Sequence, residues 1–261
     1  MTFIALHGGN IKINSIGKQS IQGDISFCSF LTKLGYSVVL EDTYILFDNS
    51  TSVLNTSKNS TGTSEVNFVE NVSLCTDSFL CLGVILSQFN GSHTLSGLSN
   101  QAVKECNRLE TFAINLNKIG IMCSVFDDGI KIDSTINRLN NYNTIKIISE
   151  NDHRMVMSFA ILGSYIKNKT ISIDNKDCVN KTYPEFWLDF NKTFGLSFRT
   201  SEFIYNKSIY NLQTENYLNS PIIIIGMRSC GKSVLSKLCA DKLKWDFIDL
   251  VLILLIYFLI Y

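Results

Sequence analysis

The sequence predicts an α/β fold assembled from a repeated unit of buried helix, strand, amphipathic helix and hairpin. Three observations carry this. A strand, a helix, a glycine stop and a hairpin around two acidic residues occur twice in the same order, with Lys33-Leu-Gly35 and Lys118-Ile-Gly120 closing the two helices. Two further stretches, 78–86 and 155–162, are apolar all round, as helices buried on every side must be. Finally, 261 residues with 46% hydrophobic content can bury a full core.

Residues 1–6 read as the tail of a first buried helix, so the chain is expected to begin inside a unit, with earlier sequence missing. A strand is predicted over 11–16, a helix over 22–34 ended by Gly35, and a hairpin over 36–41 and 44–47 around Glu41-Asp42. Residues 48–65 are rich in Ser, Thr and Asn without periodicity and read as a surface insertion. Asp77 precedes the apolar helix over 78–86. A strand over 93–98, a helix over 102–119, the stop at Gly120 and a hairpin over 122–126 and 129–132 around Asp127-Asp128 complete the second copy. Asn151-Asp152-His153-Arg154 opens the helix over 155–162. A third, incomplete copy begins with a strand over 170–174 and runs into a helix from Pro184.

Charge and cysteine usage narrow the function. Twenty-three basic and twenty-three acidic side chains cancel, which removes the electrostatic case for nucleic acid or an anionic membrane surface. Small anions at local sites remain. The eight cysteines show no Cys-x-x-Cys spacing and sit mostly in apolar runs, which argues for reduced buried thiols and against zinc or disulfides. The amino terminus lacks the basic flank and cleavage site of a signal peptide, so a cytoplasmic setting is expected.

The chemistry concentrates at helix starts. On a helix of about 100° per residue, Asn100, Lys104 and Arg108 fall at about 0°, 40° and 80°, one stripe of donors. Glu105 falls on the side of Leu109, Phe112, Ala113, Leu116 and Ile119, the face with the apolar period of a core helix. A carboxylate beside a lysine and an arginine at a helix amino terminus can form a site for an anionic substrate with an acid/base group. A solvated charged first turn is the alternative. Asp77 can equally be a helix cap, His153 a satisfied histidine, Arg154 a snorkelling arginine and Lys181 a loop lysine. Parallel stacking of the units would bring Asp77, Lys104, Glu105, Arg108, His153, Arg154 and Lys181 to one end of the fold.

Residues 1–197 form the repeat region, and 198–220 read as a linker to different chemistry. Residues 221–226 are an apolar strand, and Gly226-Met-Arg-Ser-Cys-Gly231-Lys232-Ser233 matches G-x-x-x-x-G-K-[ST] ahead of a helix over 234–243. In a P-loop the glycines let backbone N–H groups surround phosphates, Lys232 reaches the β/γ-phosphates and Ser233 holds magnesium, so ATP and Mg are the expected ligands of this segment. The apolar run 250–261 is shorter than the roughly 20 residues that span a bilayer. It reads as a tail from a non-native reading frame, and no membrane partner is expected.

Gln22-Gly-Asp24, Asn100-Gln-Ala-Val-Lys-Glu-Cys-Asn-Arg108, Asn151-Asp-His-Arg-Met155 and Lys181-Thr-Tyr-Pro184 resemble 5-enolpyruvylshikimate-3-phosphate synthase. With a P-loop in the style of shikimate kinase following, the order is similar to the fungal pentafunctional AROM arrangement. The resemblance implies an enolpyruvyl transferase carboxy-terminal lobe, followed over 221–249 by the first strand, P-loop and helix of a kinase. It implies transfer of the enolpyruvyl group of phosphoenolpyruvate to the 5-hydroxyl of shikimate 3-phosphate, with no cofactor. On this resemblance Asp77 engages substrate hydroxyls and helps take a proton, Lys104 binds near the same hydroxyl, and Glu105 transfers protons. Arg108, Arg154 and Lys181 hold phosphoenolpyruvate, His153 orients it, and Asn100 contacts shikimate 3-phosphate.

The chain departs from the pattern in three ways. Ala102 stands where the family usually has arginine. The contacts of the other lobe would precede Met1. In the kinase segment Asp249, the expected magnesium ligand, is followed by Val251 at the second acidic position. Negligible turnover by the isolated chain is therefore expected. A non-catalytic half-enzyme that docks on a complete synthase lobe and an ATP-binding kinase remnant are the alternatives, whereas the related transferase acting on a UDP-sugar fits the motifs less closely.

Overall fold

The computed structural model describes residues 1–50, 65–137, 143–167 and 169–194. The chain divides into two compact units, Met1–Arg199 and Thr200–Tyr261, and every described residue belongs to the first. The predicted linker, P-loop segment and apolar tail, including Gly226, Gly231, Lys232, Ser233 and Asp249, lie outside the described residues, as does most of the predicted insertion over 48–65.

Helix α1 (Thr2–His7) buries Thr2, Ile4, Ala5 and Leu6. Strand β1 (Gly9–Asn14) follows, then a 3-10 turn at Gly23–Ser26, helix α2 (Phe27–Lys33) and the hairpin β2 (Ser37–Leu40) and β3 (Tyr44–Asn49). Next come β4 (Val69–Asn71), a 3-10 turn at Ser73–Ser78, α3 (Phe79–Leu86) and β5 (Ser92–Ser96). A third 3-10 turn, Ser99–Val103, leads to α4 (Arg108–Ile119) and the hairpin β6 (Ile121–Phe126) and β7 (Gly129–Asn137). The last described elements are β8 (Thr144–Ile147), α5 (His153–Tyr165), β9 (Thr170–Ile173), a 3-10 turn at Lys176–Lys181, and α6 (Phe186–Phe194).

The repeat is visible in the sheets. Strands run in the order β1-β3-β2 in one and β4-β5-β7-β6 in the next, so β5-β7-β6 copies β1-β3-β2. Strands β4 and β5 pair in parallel across the buried helix α3, and β8 and β9 do the same across α5. The sequence reading lacked β4 and β8, whose three and four residues are too short for alternation to register.

Helices α1, α3 and α5 pack on one another in the core. On α3 every residue but Cys81 is buried. Phe112 of α4 bridges Phe79 and Phe159, with ring centroids 5.7 and 5.5 Å away. Its ring lies against Gly83, where an added Cβ would come within 2.7 Å of it, so this helix pair meets backbone to ring. His93 of β5 is wholly buried, its Nε2–H donating to the Phe89 carbonyl at 3.1 Å.

Two predicted helices start later than their periodicity suggests. The helix expected from 22 begins at Phe27, after a 3-10 turn. The helix expected from 102 begins at Arg108, because the Asn107 side chain accepts the Glu110 N–H and caps the helix there. Its end is as read: Gly120 takes the left-handed conformation at φ 105° and returns its N–H to Leu116 and Asn117.

Candidate active site

The late start of α4 changes the site. Asn100, Lys104 and Arg108 do not share a helical stripe, because 100–103 lie in a 3-10 turn and 104–107 are irregular. Arg108, read as lying on the donor stripe, is instead buried with its side chain 2% exposed, while Glu105, read as inward, keeps 26% of its side chain in solvent. A first-turn arginine can enter the interior only if carboxylates meet it, and three do. Its Nε donates to Asp152 at 2.6 Å, Nη1 to Asp77 at 3.0 Å and Nη2 to Glu105 at 2.6 Å.

Each carboxylate arrives from a different element. Asp152, wholly buried, caps α5 by accepting the Arg154 and Met155 N–H groups while also holding Arg108. Asp77 sits in the turn before α3. It is not that helix's cap, since Ser78 occupies the position without a side-chain bond. Its carboxylate faces cations instead, with Lys104 at 3.4 Å and Arg154 at 3.3 Å. Glu105 accepts from Lys181, on the turn after β9, at 3.0 Å. His153, at the start of α5, is buried with Nδ1 3.9 Å from Glu105 and no hydrogen-bond partner on that atom.

All seven residues expected to converge thus meet at one end of the fold. Asn100 joins less directly, donating to Thr76 Oγ at 3.2 Å and accepting from Gln101. Gln101 escaped the sequence reading as a site residue. It lies inside the quoted motif, yet nothing in the pattern sets it apart from a solvated turn residue. Asp152 was legible only as a polar helix start.

Electrostatics follow from this pairing. Burial would raise Glu105, but the Lys181 hydrogen bond, a backbone hydrogen bond and the Arg108 and Lys181 charges outweigh it and hold the carboxyl at about 2. Asp77 is likewise below its ordinary value: burial opposes this, while the Gln101 hydrogen bond and the Arg154, Lys104 and Arg108 charges prevail. Burial pushes His153 and His93 down, which favours their neutral forms. Four cations (Lys104, Arg108, Arg154, Lys181) against three carboxylates leave one net positive charge. Lys104, Arg154 and Lys181 are partly exposed and can turn from their carboxylates to an entering phosphate or carboxylate. Among the described residues no group of three or more His, Cys, Asp or Glu is placed to hold a metal ion.

These shifts predict a two-stage acid limb. The unfolded chain protonates its histidines first, so stability present above pH 6.5 declines as pH falls below that value. Asp77 and Glu105 contribute stability above their ordinary values of 3.8 and 4.5, and it is lost as pH falls through their lowered folded values, about 2 for Glu105. Urea midpoints across this range check the prediction. His93→Gln should shrink the upper stage, keeping the share of His7 and His153, and leave the lower one.

The EPSP synthase (3-phosphoshikimate 1-carboxyvinyltransferase) family model matches residues 1–190. The chain is 33% identical over 256 residues to the pentafunctional AROM polypeptide of Pneumocystis carinii and 32% identical over 253 residues to that of Yarrowia lipolytica. Those alignments cover 96% of this chain and only 16% and 15% of the relatives. Among solved structures, EPSP synthase from Acinetobacter baumannii aligns with TM-score 0.55 at 18% identity, over 77% of this chain and 45% of that one. The enolpyruvyl transferase NikO from Streptomyces tendae aligns with TM-score 0.51 at 14% identity, over 73% and 41%. These two likenesses concern the fold, which is the mixed α/β fold of enolpyruvyl transferases. Matched over most of its length, with its charged residues gathered at one end of the repeat, the chain belongs to the EPSP synthase family.

Proposed function

We propose that this chain supplies one wall of a site that transfers the enolpyruvyl group of phosphoenolpyruvate to shikimate 3-phosphate. The observation that carries the reading is the cluster around Arg108, which sets three carboxylates beneath a rim of exchangeable cations. Arg154 and Lys181, with Arg108 behind them, hold the phosphate and carboxylate of phosphoenolpyruvate. Lys104 and Asn100 contact shikimate 3-phosphate. Its 5-hydroxyl oxygen bonds to C2 of phosphoenolpyruvate, Asp77 helps take the hydroxyl proton, and C3 gains a proton. Elimination then removes a proton from C3 and breaks the bond between C2 and the phosphate oxygen, releasing inorganic phosphate. Glu105 serves the proton transfers at C3 and His153 orients the reacting group. When a phosphate draws Lys181 away, Glu105 loses the hydrogen bond that holds it at about 2 and becomes a better base.

The opposite wall comes from a complementary amino-terminal lobe. Supporting this, Ile21, Leu74 and Val103 are 98%, 75% and 84% exposed on or beside adjoining turns at the site end. Mixing the chain with the separately expressed front lobe of a fungal EPSP synthase tests the reading through phosphate release. Negligible release by the chain alone and measurable release by the pair are expected. Failure of the pair, together with failure of the chain to bind either substrate, overturns it.

Residues 221–249 are read as the opening of a shikimate kinase, supported by Gly226, Gly231, Lys232 and Ser233 in P-loop spacing with Asp249 downstream as a magnesium ligand. Absence of magnesium-dependent ATP binding by the chain would overturn that part alone. A cytoplasmic setting fits the six described cysteines, all free thiols. No helix among the described residues is long and apolar enough to cross a membrane.

A further inference from the structure

We propose that Gln101 is a positioning residue that fixes which oxygen of Asp77 faces the substrate. Its side chain is wholly buried and fully engaged: Nε2 donates to Asp77 Oδ1 and to Asn100 Oδ1, both at 3.1 Å, and Oε1 accepts from Arg108 Nη1 at 3.0 Å. Only this amide orientation fits, because the guanidinium offers donors alone and the carboxylate acceptors alone. Its backbone N–H is tied to the Leu98 carbonyl at 2.8 Å, so the whole residue is held.

Asp77 is faced by Lys104, Arg108 and Arg154 as well as by Gln101. Gln101, Arg108 and Lys104 all take Oδ1, and only Arg154 takes Oδ2. An anionic ligand competes for Lys104 and Arg154, which are partly exposed. It does not compete for a buried neutral amide. Gln101, together with the buried Arg108, therefore keeps Oδ1 anchored and the carboxylate ionised, while the exposed cations turn to substrate and Oδ2 is released toward a hydroxyl. The hydrogen bond also favours the charged form of Asp77, in keeping with its lowered pKa.

The inference rests on the enolpyruvyl-transfer reading for the role of Asp77, but its test reads Asp77 directly in the full chain. Carbon-13 NMR titration of the Asp77 carboxyl is compared among wild type, Gln101→Met, which keeps the length without hydrogen-bonding polar atoms, and Gln101→Glu, which keeps the shape. Upward shifts of about one pH unit in both variants are expected, larger for the glutamate because a like charge faces Asp77. An unshifted titration in either folded variant overturns the proposal, and unfolding of both assigns Gln101 to packing alone. Wild-type binding of phosphoenolpyruvate or shikimate 3-phosphate, measured alongside by calorimetry, reports separately on the functional reading.

Discussion

Replacing Arg108 with methionine is expected to cost the folded chain about 3–5 kcal/mol, the loss typical when one partner of a buried ion pair is removed. The size follows from what remains. Asp152 is wholly buried and would keep its two backbone N–H donors but lose the one positive partner that it has at hydrogen-bond distance among the described residues. Asp77 and Glu105 retain lysine or arginine neighbours and partial exposure, so most of the penalty belongs to Asp152. Urea denaturation of wild type, Arg108→Met and the double variant Arg108→Met/Asp152→Asn gives the check. The double variant should recover part of the loss, since it removes the stranded charge. Arg108→Lys should fall between, because one ammonium cannot present the three-sided fork that meets three separate carboxylates. A loss under about 0.5 kcal/mol for Arg108→Met, the range of an ordinary surface change, would contradict this account.

Glu105→Gln is expected to lower turnover of the reconstituted pair by about 10²- to 10⁴-fold, the usual contribution of a positioned proton-transfer group. Binding should move the other way. The Glu105 carboxylate holds Lys181 at 3.0 Å, and an entering phosphate must compete with it. An amide competes less, so the Kd for inorganic phosphate or phosphoenolpyruvate should fall while kcat collapses. Steady-state phosphate release and calorimetry on the same variant separate the two effects. Weaker anion binding with unchanged kcat would remove Glu105 from the proton-transfer role.

The sequence made the repeat legible because two hairpins and two all-apolar helices recur in one order, and β1-β3-β2 against β5-β7-β6 is the three-dimensional form of that recurrence. It made the convergence of the charged side chains legible for the same reason: equivalent helix starts in stacked units face one way. The geometry within the site was hidden. A wheel projection assumes that the helix runs through Lys104 and Glu105, whereas the Asn107 cap interrupts it and turns Arg108 inward. Burial of an arginine depends on Asp77 and Asp152, which lie 31 and 44 positions away, and no local period encodes such a meeting. Gln101 was missed on the same ground: Asp77 lies 24 positions away, and the bond from Arg108 forms only because that arginine turns inward.

Those separations have a consequence for quality control. The cluster is complete only when the turn before α3 and the start of α5 have both docked on α4, so Arg108 acts as a checkpoint on assembly. Until both have docked, Arg108 lacks the carboxylates that permit its burial, so closing the cluster and burying the arginine occur together. Completion of the fold across three separate elements is thereby tied to one side chain.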